Sequence, residues 1–344
     1  MPSRAKWWIQ VILKSTGIAL VGALVGGIIY EQVGRWQERK RLSQIGRSVD
    51  IGGRTLNIYC SGEGSPPVIL EAPGAAPGYV WAHIQPEIAK FTQACWYDRA
   101  GEGWSDAGPF PRTSAAIAKD LHELLQRAGI PAPYVLVGYS FGGLNARVYN
   151  GLYPNEVAGM VLVDSAHEDE PKRAPKFALG RTAPRYLWYP LHLMFQTARN
   201  IGLLRLTQPS PPRVQDGSRL TPGQMVQALR RQPKSVVTNN STGIVMPESY
   251  AQARAAAGLR DYPLIVLTAG GPSSFGHPEM DRQAAAYQQV WIHQMQAQLA
   301  RLSTRGRQIV VENSDHGIAD QAPDVVIAAV REVITETRSE GSGR

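Results

Sequence analysis

Short apolar runs alternate along most of the chain with longer stretches whose apolar residues recur at helical spacing. Val68–Glu71, Ala94–Tyr97, 134–138, Val157–Val163, 264–268 and 308–311 are nearly continuous in apolar residues and predict buried strands. Residues 81–91, a segment with Ile117, Leu121, Leu124 and Leu125 on one face, a long stretch ending near Leu302, and 324–334 predict helices. Thr113 or Ser114 is placed to cap the helix before Gly129, and that glycine to end it. Near the start, 47–51 and 54–60 read as strands around Gly52-Gly53, a hairpin signal. Strands buried on both faces, alternating with helices, imply an α/β fold whose mostly parallel sheet is covered on both sides.

Two segments break this rhythm. Residues 7–30 read WWIQVILKSTGIALVGALVGGIIY, with Lys14 the single charge. That is about the length a helix needs to cross a bilayer, and Trp7, Trp8, Tyr30 and Trp36 stand where interfacial aromatics belong. A cleaved leader is the alternative, since Arg4 and Lys6 form a basic start. The run, however, ends in Ile-Ile-Tyr-Glu without a small-x-small exit. The expectation is a transmembrane anchor over 7–30 followed by a basic linker over 31–46. Arg4 and Lys6 with Lys14 near its start on one side, against Arg35, Arg39, Lys40 and Arg41 on the other, leave its orientation open. The second segment, 168–261, is rich in Pro, Arg and Gln, lacks strand-like runs and carries an apolar, aromatic cluster at 186–195. It reads as a helical lid inserted between two parts of the core, 47–167 and 262–338.

Charge follows these segments. The formal balance of +8 resolves into eight Lys/Arg against two Asp/Glu over 1–47, fourteen against six over 168–261, and fourteen against twenty elsewhere. No basic helix with interleaved aromatics accompanies the excess, so a membrane surface, reached through the N-terminal helix, is the expected partner and nucleic acid is not. Cys60 and Cys95 are too few for a disulfide framework or a four-ligand zinc site. Both lie near expected strands, where free cysteine is commonly a small buried apolar residue, and that reading is preferred. Were the two strands neighbours, one bridge would be possible and would imply an oxidising compartment.

Gly138-Tyr139-Ser140-Phe141-Gly142 is a G-x-S-x-G pentapeptide between an expected strand and an expected helix. In that setting a sharp turn exposes the serine hydroxyl as a nucleophile, and the helix start favours developing negative charge. A serine needs a base. Among seven histidines, His316 in Ser314-Asp315-His316-Gly317, just past the last expected strand, is the choice. His83, His122, His192 and His293 fall on helical patterns and His277 in a loop, while His167 follows a strand end and is a minor alternative. An oxyanion hole needs two backbone N–H groups. Phe141 offers one; in the loop Glu71-Ala72-Pro73-Gly74-Ala75-Ala76, Pro73 has none to give, so Gly74 is preferred and Ala75 comes next. No His/Cys/carboxylate cluster has metal-ligand spacing and no G-x-G-x-x-G follows a strand, so no cofactor or metal is expected.

With VILEAPG, WYDRAGEGWSD, YVLVGYSFGG and VAGMVLVDSAH, the stretch from Val68 to His167 resembles the α/β-hydrolase superfamily, and within it the bacterial esterase, lipase and haloperoxidase-like branch. With SDHG near the end, the resemblance covers roughly 47–337. It implies that Ser140 and His316 act in a Ser-His-acid triad, and that Tyr97-Asp98-Arg99 and Gly101–Asp106 hold the loop beside the site. Two positions depart from the family pattern. The His-Gly pair often seen in the oxyanion loop is Ala72-Pro73, and no Asp follows 264–268, where the chain reads Ala-Gly-Gly-Pro-Ser-Ser. Asp164, at the end of the preceding strand as in some family members, is therefore the leading acid, with Glu168 and Asp281 as alternatives. The implied activity is hydrolysis of a small hydrophobic carboxylic ester. A cofactor-free haloperoxidase or acyltransferase would use the same triad, and a non-catalytic binding protein would have a broken one.

Overall fold

The protein is described by a computed structural model covering residues 4–175, 183–208, 220–256, 258, 261–271 and 276–341. Parts of the expected lid (176–182, 209–219, 257, 259 and 260) and part of the loop after 264–268 (272–275) lie outside the described residues. Eight strands form one sheet in the order β1-β2-β4-β3-β5-β6-β7-β8. They are β1 (Arg47–Asp50), β2 (Thr55–Ser61), β3 (Val68–Glu71), β4 (Ala94–Tyr97), β5 (Tyr134–Tyr139), β6 (Val157–Val163), β7 (Leu264–Ala269) and β8 (Gly306–Val311). β1 and β2 run antiparallel to their neighbours, and every pairing from β4 onward is parallel.

Successive side chains of the central strands enter two different cores. Leu136, Met160, Leu162, Leu264 and Val266 pack on one face with helices α2 (Ser114–Ala128) and α3 (Phe141–Leu152). Val135, Val137, Val161, Val163, Ile265 and Leu267 pack on the other, and the last helix of the chain covers them. Both faces are dry, which is why these strands read as unbroken apolar runs rather than alternating ones. The Thr113 side chain accepts from the Ala116 N–H at 3.4 Å to cap α2, and Gly129 ends it at φ 71°. Register brings the strand ends level: Glu71 pairs with Gly138, Tyr139 with Val163, and Val163 with Leu267. Residues that follow these pairs share one rim.

Between β6 and β7 the elements among the described residues are all helical: short turns at Glu170–Arg173 and Arg185–Leu187, then α4 (Trp188–Asn200), α5 (Leu203–Thr207), α6 (Pro222–Arg230), α7 (Pro233–Ile244) and α8 (Met246–Ala255). They are tied to the core by polar contacts. The Lys234 amine donates to the Ser105 carbonyl at 2.9 Å, and the Ser114 and Ala115 N–H groups donate to Ser249 Oγ at 3.0 Å and Gln252 Oε1 at 2.8 Å. After β7 come α9 (Pro278–Val290), a π-helical turn over Trp291–Gln296 and, after β8, α10 (Pro323–Gly341).

Three expectations need correction. Residues 31–46 are not a linker through their length, because helix α1 (Arg4–Arg41) continues unbroken to Arg41. Glu31 pairs with Arg35 one turn on at 2.8 Å, the lid's Arg205 bridges Glu31 and Glu38, and Arg39, Lys40 and Arg41 in the last turn suit the negative end of the helix dipole. Residues 81–91 do not form one helix but a 3₁₀ turn at Gly78–Trp81 and a single turn at Gln85–Ile88. Pro86 explains the break, since it has no N–H to bond the Ala82 carbonyl and is accommodated in the first turn of the second piece. Cys60 and Cys95 are not free: they face each other in the β2–β4 pairing, with Cα atoms 4.1 Å apart, and form a disulfide. Sequence alone had no means to set those two strands side by side.

Alkylation of the denatured chain without reductant should accordingly find no free thiol, and two after reduction. Replacing both cysteines by Ala should lower unfolding free energy by about 2–4 kcal/mol in a denaturant titration. Two alkylated cysteines before reduction would contradict the pairing.

Candidate active site

β5 ends at Tyr139, α3 begins at Phe141, and Ser140 makes the turn between them at φ 53°, ψ −119°. A non-glycine residue there is strained, on the order of 1–3 kcal/mol, and persists only where neighbours fix it. Here the Ser140 N–H donates to the Val163 carbonyl, and its own carbonyl accepts from the Gly143 and Ala166 N–H groups, all at 3.0 Å. Close approach dictates the flanking glycines. A Cβ on Gly138 would meet Gly143 Cα at 2.5 Å, and one on Gly142 would meet the Glu71 carbonyl oxygen at the same distance. The serine hydroxyl is thereby carried to the rim above the central strands.

Ser140 Oγ lies 3.0 Å from His316 Nε2, and His316 Nδ1 lies 2.7 Å from Asp164 Oδ2. Asp164 follows β6 at φ 39° and is 3% exposed. Its other oxygen, Oδ1, accepts from the Ala269 N–H at 3.0 Å and from Trp291 Nε1 at 2.8 Å, so a buried carboxylate is held by three donors. Burial pulls the pKa of the His316 imidazole down. The hydrogen bond and charge of Asp164, with Glu170 and Asp315, outweigh that and hold it above the ordinary histidine value. Tyr139 OH donates to the His316 carbonyl at 2.7 Å and fixes the loop that carries the ring. Serine, imidazole and carboxylate thus form one hydrogen-bonded line, the arrangement by which a hydroxyl is activated as nucleophile.

The other acid candidates are elsewhere. Glu168 is bound to Arg147 of α3 at 2.8 Å, and Asp281 sits in the first turn of α9. Asp315 turns back on its own loop, accepting from the Gly317 N–H at 2.8 Å and Gln321 Nε2 at 2.7 Å. His167 is buried, and its Nδ1 accepts from the Asp169 N–H at 3.1 Å rather than addressing the serine.

The loop after β3 lies against the start of α3. A Cβ on Gly74 would come within 3.6 Å of the Phe141 Cβ, and as the first residue of α3 Phe141 has no acceptor for its N–H within the helix. The loop is held by Arg99, whose guanidinium donates to the carbonyls of Ala72 at 2.6 Å, Pro73 at 2.5 Å and Ala76 at 3.3 Å. Its charge is met by Glu71, 3.0 Å away, which also accepts from Asn145 Nδ2 at 3.0 Å and from Tyr97 OH. Asp98 accepts from the Gly78 and Trp104 N–H groups at 2.7 and 2.9 Å, closing the adjoining loop.

Sequence reasoning did not single out Trp291 or Glu170. A buried tryptophan needs a partner for its N–H, and a π-turn often marks a functional position, but neither signal is readable before the helix is seen. Glu170 accepts from Tyr250 OH at 3.3 Å. Burial holds its carboxyl above the usual range, although that hydrogen bond and the charge of His316 work against the rise.

Known proteins share this frame. A probable transporter, efuK, from Hormonema carpetanum is 32% identical over 135 residues, which is 37% of this chain but 19% of that protein. The chain spans less than half the length of the curated relatives it matches, 49% in the case of YbdG from Bacillus subtilis. Among solved structures, an esterase from Thermogutta terrifontis superposes with a TM-score of 0.55 at 19% identity, covering 86% of this chain and 99% of that one. These likenesses are to the fold. A family model described as the alpha/beta hydrolase fold matches residues 66–323, which takes in the serine turn, the Asp164 strand end and the His316 loop. With its eight-stranded sheet, its strained serine between β5 and α3 and that match over most of its length, the chain belongs to the α/β-hydrolase fold family.

Proposed function

We propose that this protein is a serine hydrolase that cleaves carboxylic esters of hydrophobic substrates while tethered to a membrane by α1. One observation carries the reading: the line Ser140–His316–Asp164, with contacts of 3.0 and 2.7 Å. Ser140 Oγ attacks the ester carbonyl carbon as His316 Nε2 takes the hydroxyl proton. The oxyanion draws on the N–H groups of Phe141 and Gly74, and Asp164 stabilises the imidazolium. Collapse expels the alcohol, which takes the proton from His316 and leaves an acyl-serine. Water, deprotonated by the same imidazole, then releases the acid and restores the serine. Arg99 is a positioning residue, since it grips the oxyanion loop through backbone carbonyls.

Residues 7–30 support the tether. Helix α1 is long and apolar enough to cross a membrane, and its apolar side chains face outward, Leu13 at 66% and Ile18 at 75% exposed. The Cys60–Cys95 bridge supports an oxidising compartment for the hydrolase core, and so an orientation with the core on the non-cytoplasmic side.

Ser140→Ala should abolish covalent labelling by a fluorophosphonate and lower turnover of p-nitrophenyl esters by about 10⁴-fold or more, with the fold intact by circular dichroism. Labelling that survives the substitution would remove Ser140 from the mechanism.

The pH profile offers an independent check. Only neutral imidazole accepts the serine proton, so kcat/KM should rise with pH along an acid limb centred above 6.5, because Asp164 raises the His316 pKa. Asp164→Asn should move that limb down and lower the plateau by about 10⁴-fold. An unchanged profile in Asp164→Asn would leave the acid unassigned, and the same measurement on Asp281→Asn and Glu168→Gln should show small losses.

A further inference from the structure

The lid exposes an apolar band that the fold itself does not cover. Tyr186, Tyr189, Leu193 and Met194 are 53% to 78% exposed and recur at helical spacing, while Trp188 of the same segment is buried with Ile244 and Val245. Leu203 and Leu206 on α5 add 48% and 69% exposed side chains beside them in sequence. A helix that is apolar both toward its core and away from it presents the outer face to a second apolar phase.

The corner between α4 and α5 is fastened to α1. A Cβ on Gly27 would come within 2.2 Å of the Ile201 carbonyl oxygen, and one on Gly202 within 2.6 Å of the Gly27 oxygen, so the two backbones touch. Arg205 crosses α1 next to Gly34, reaching Glu31 at 2.9 Å and Glu38 at 2.5 Å. Glu31 is 1% exposed and also holds Arg35. Gly27 lies three residues inside the apolar stretch that ends at Tyr30. At 1.5 Å per residue, the lid corner therefore meets α1 about 4–5 Å on the apolar side of that end.

We infer that the lid band, Tyr186, Tyr189, Leu193, Met194, Leu203 and Leu206, docks into the bilayer leaflet that receives the end of α1. The inference rests on the reading of α1 as a membrane anchor. The clamp of Gly27, Glu31 and Glu38 on the α4–α5 corner sets the depth; Leu203, Leu206 and Leu193 within about two turns of it, and Tyr189 and Tyr186 about three to four turns along the lid, enter the headgroup region as an interfacial helix does. Fourteen Lys/Arg against six Asp/Glu over 168–261 make anionic headgroups the favoured surface. An ester dissolved in that leaflet is then the substrate class closest to the lid.

Because the described cysteines are paired, a single added cysteine takes a label in the full chain. Leu193→Cys and Leu206→Cys would carry a nitrobenzoxadiazole probe in vesicles of phosphatidylcholine and phosphatidylglycerol. Ile12→Cys serves as the anchor control and the exposed Gln126→Cys, at the far end of α2, as the water control. The docked lid predicts blue-shifted emission and quenching by nitroxide-labelled lipid at Leu193, Leu206 and Ile12, and quenching by aqueous iodide at Gln126. Iodide quenching at both lid positions with lipid quenching at Ile12 overturns the docking and leaves the anchor standing. Iodide quenching at Ile12 overturns the anchor and the docking together.

Discussion

The turn at Ser140 constrains the rest of the molecule because its backbone is unfavourable in isolation. A serine at φ 53° is held by the Val163 carbonyl on one side and by the Gly143 and Ala166 N–H groups on the other. Those bonds come from β6, from α3 and from the chain just after β6. Strand order, helix start and serine geometry are therefore one condition. Gly138 and Gly142 follow from it, since a methyl at either position would strike backbone. Asp164, set at φ 39° after the adjoining strand, meets the rim from the next position along the sheet.

Two buried carboxylates beside the site are each met by several donors. Asp164 takes the Ala269 N–H, the Trp291 indole and the His316 ring, and Glu71 takes Arg99, Asn145 and Tyr97. Removing a single partner from such a cluster leaves an uncompensated buried charge, which costs more than the pair itself contributes. The clusters differ in what they hold. Asp164 fixes a side chain that can carry a proton, while Arg99 fixes the backbone of the loop facing Phe141.

The lid belongs to two structures at once. Lys234 and Ser249 join it to the core, and Arg205 joins it to α1. In the proposed tethered hydrolase, a movement of the anchor relative to the core would pass through the lid, because α1 and the lid share a backbone contact at Gly27 and Gly202.

The sheet was legible from the sequence because strands buried on both faces leave nearly continuous apolar runs, and β3 through β7 lie where those runs do, whereas β8, expected to be buried too, is an only half-buried edge strand. The G-x-S-x-G turn was legible for a related reason: a local steric demand fixes its glycines, so residue types record it. His316 stood out through its place after the last strand. Asp164 led the acid candidates only through its place at a strand end, because Glu168 and Asp281 also carry carboxylates and the three differ chiefly in what surrounds them. Strand register put Asp164 within 2.7 Å of His316, and the Arg147 ion pair took Glu168 away. The same holds for Cys60 and Cys95, for Trp291 beneath the carboxylate, and for Glu31 against Arg205. Local pattern determined which segments are strands, helices and turns, since it reflects short-range sterics and which faces are dry. Pairings across 35 to 174 residues of chain were decided by the sheet order and by the packing of the lid on α1, and neither is written in any one segment.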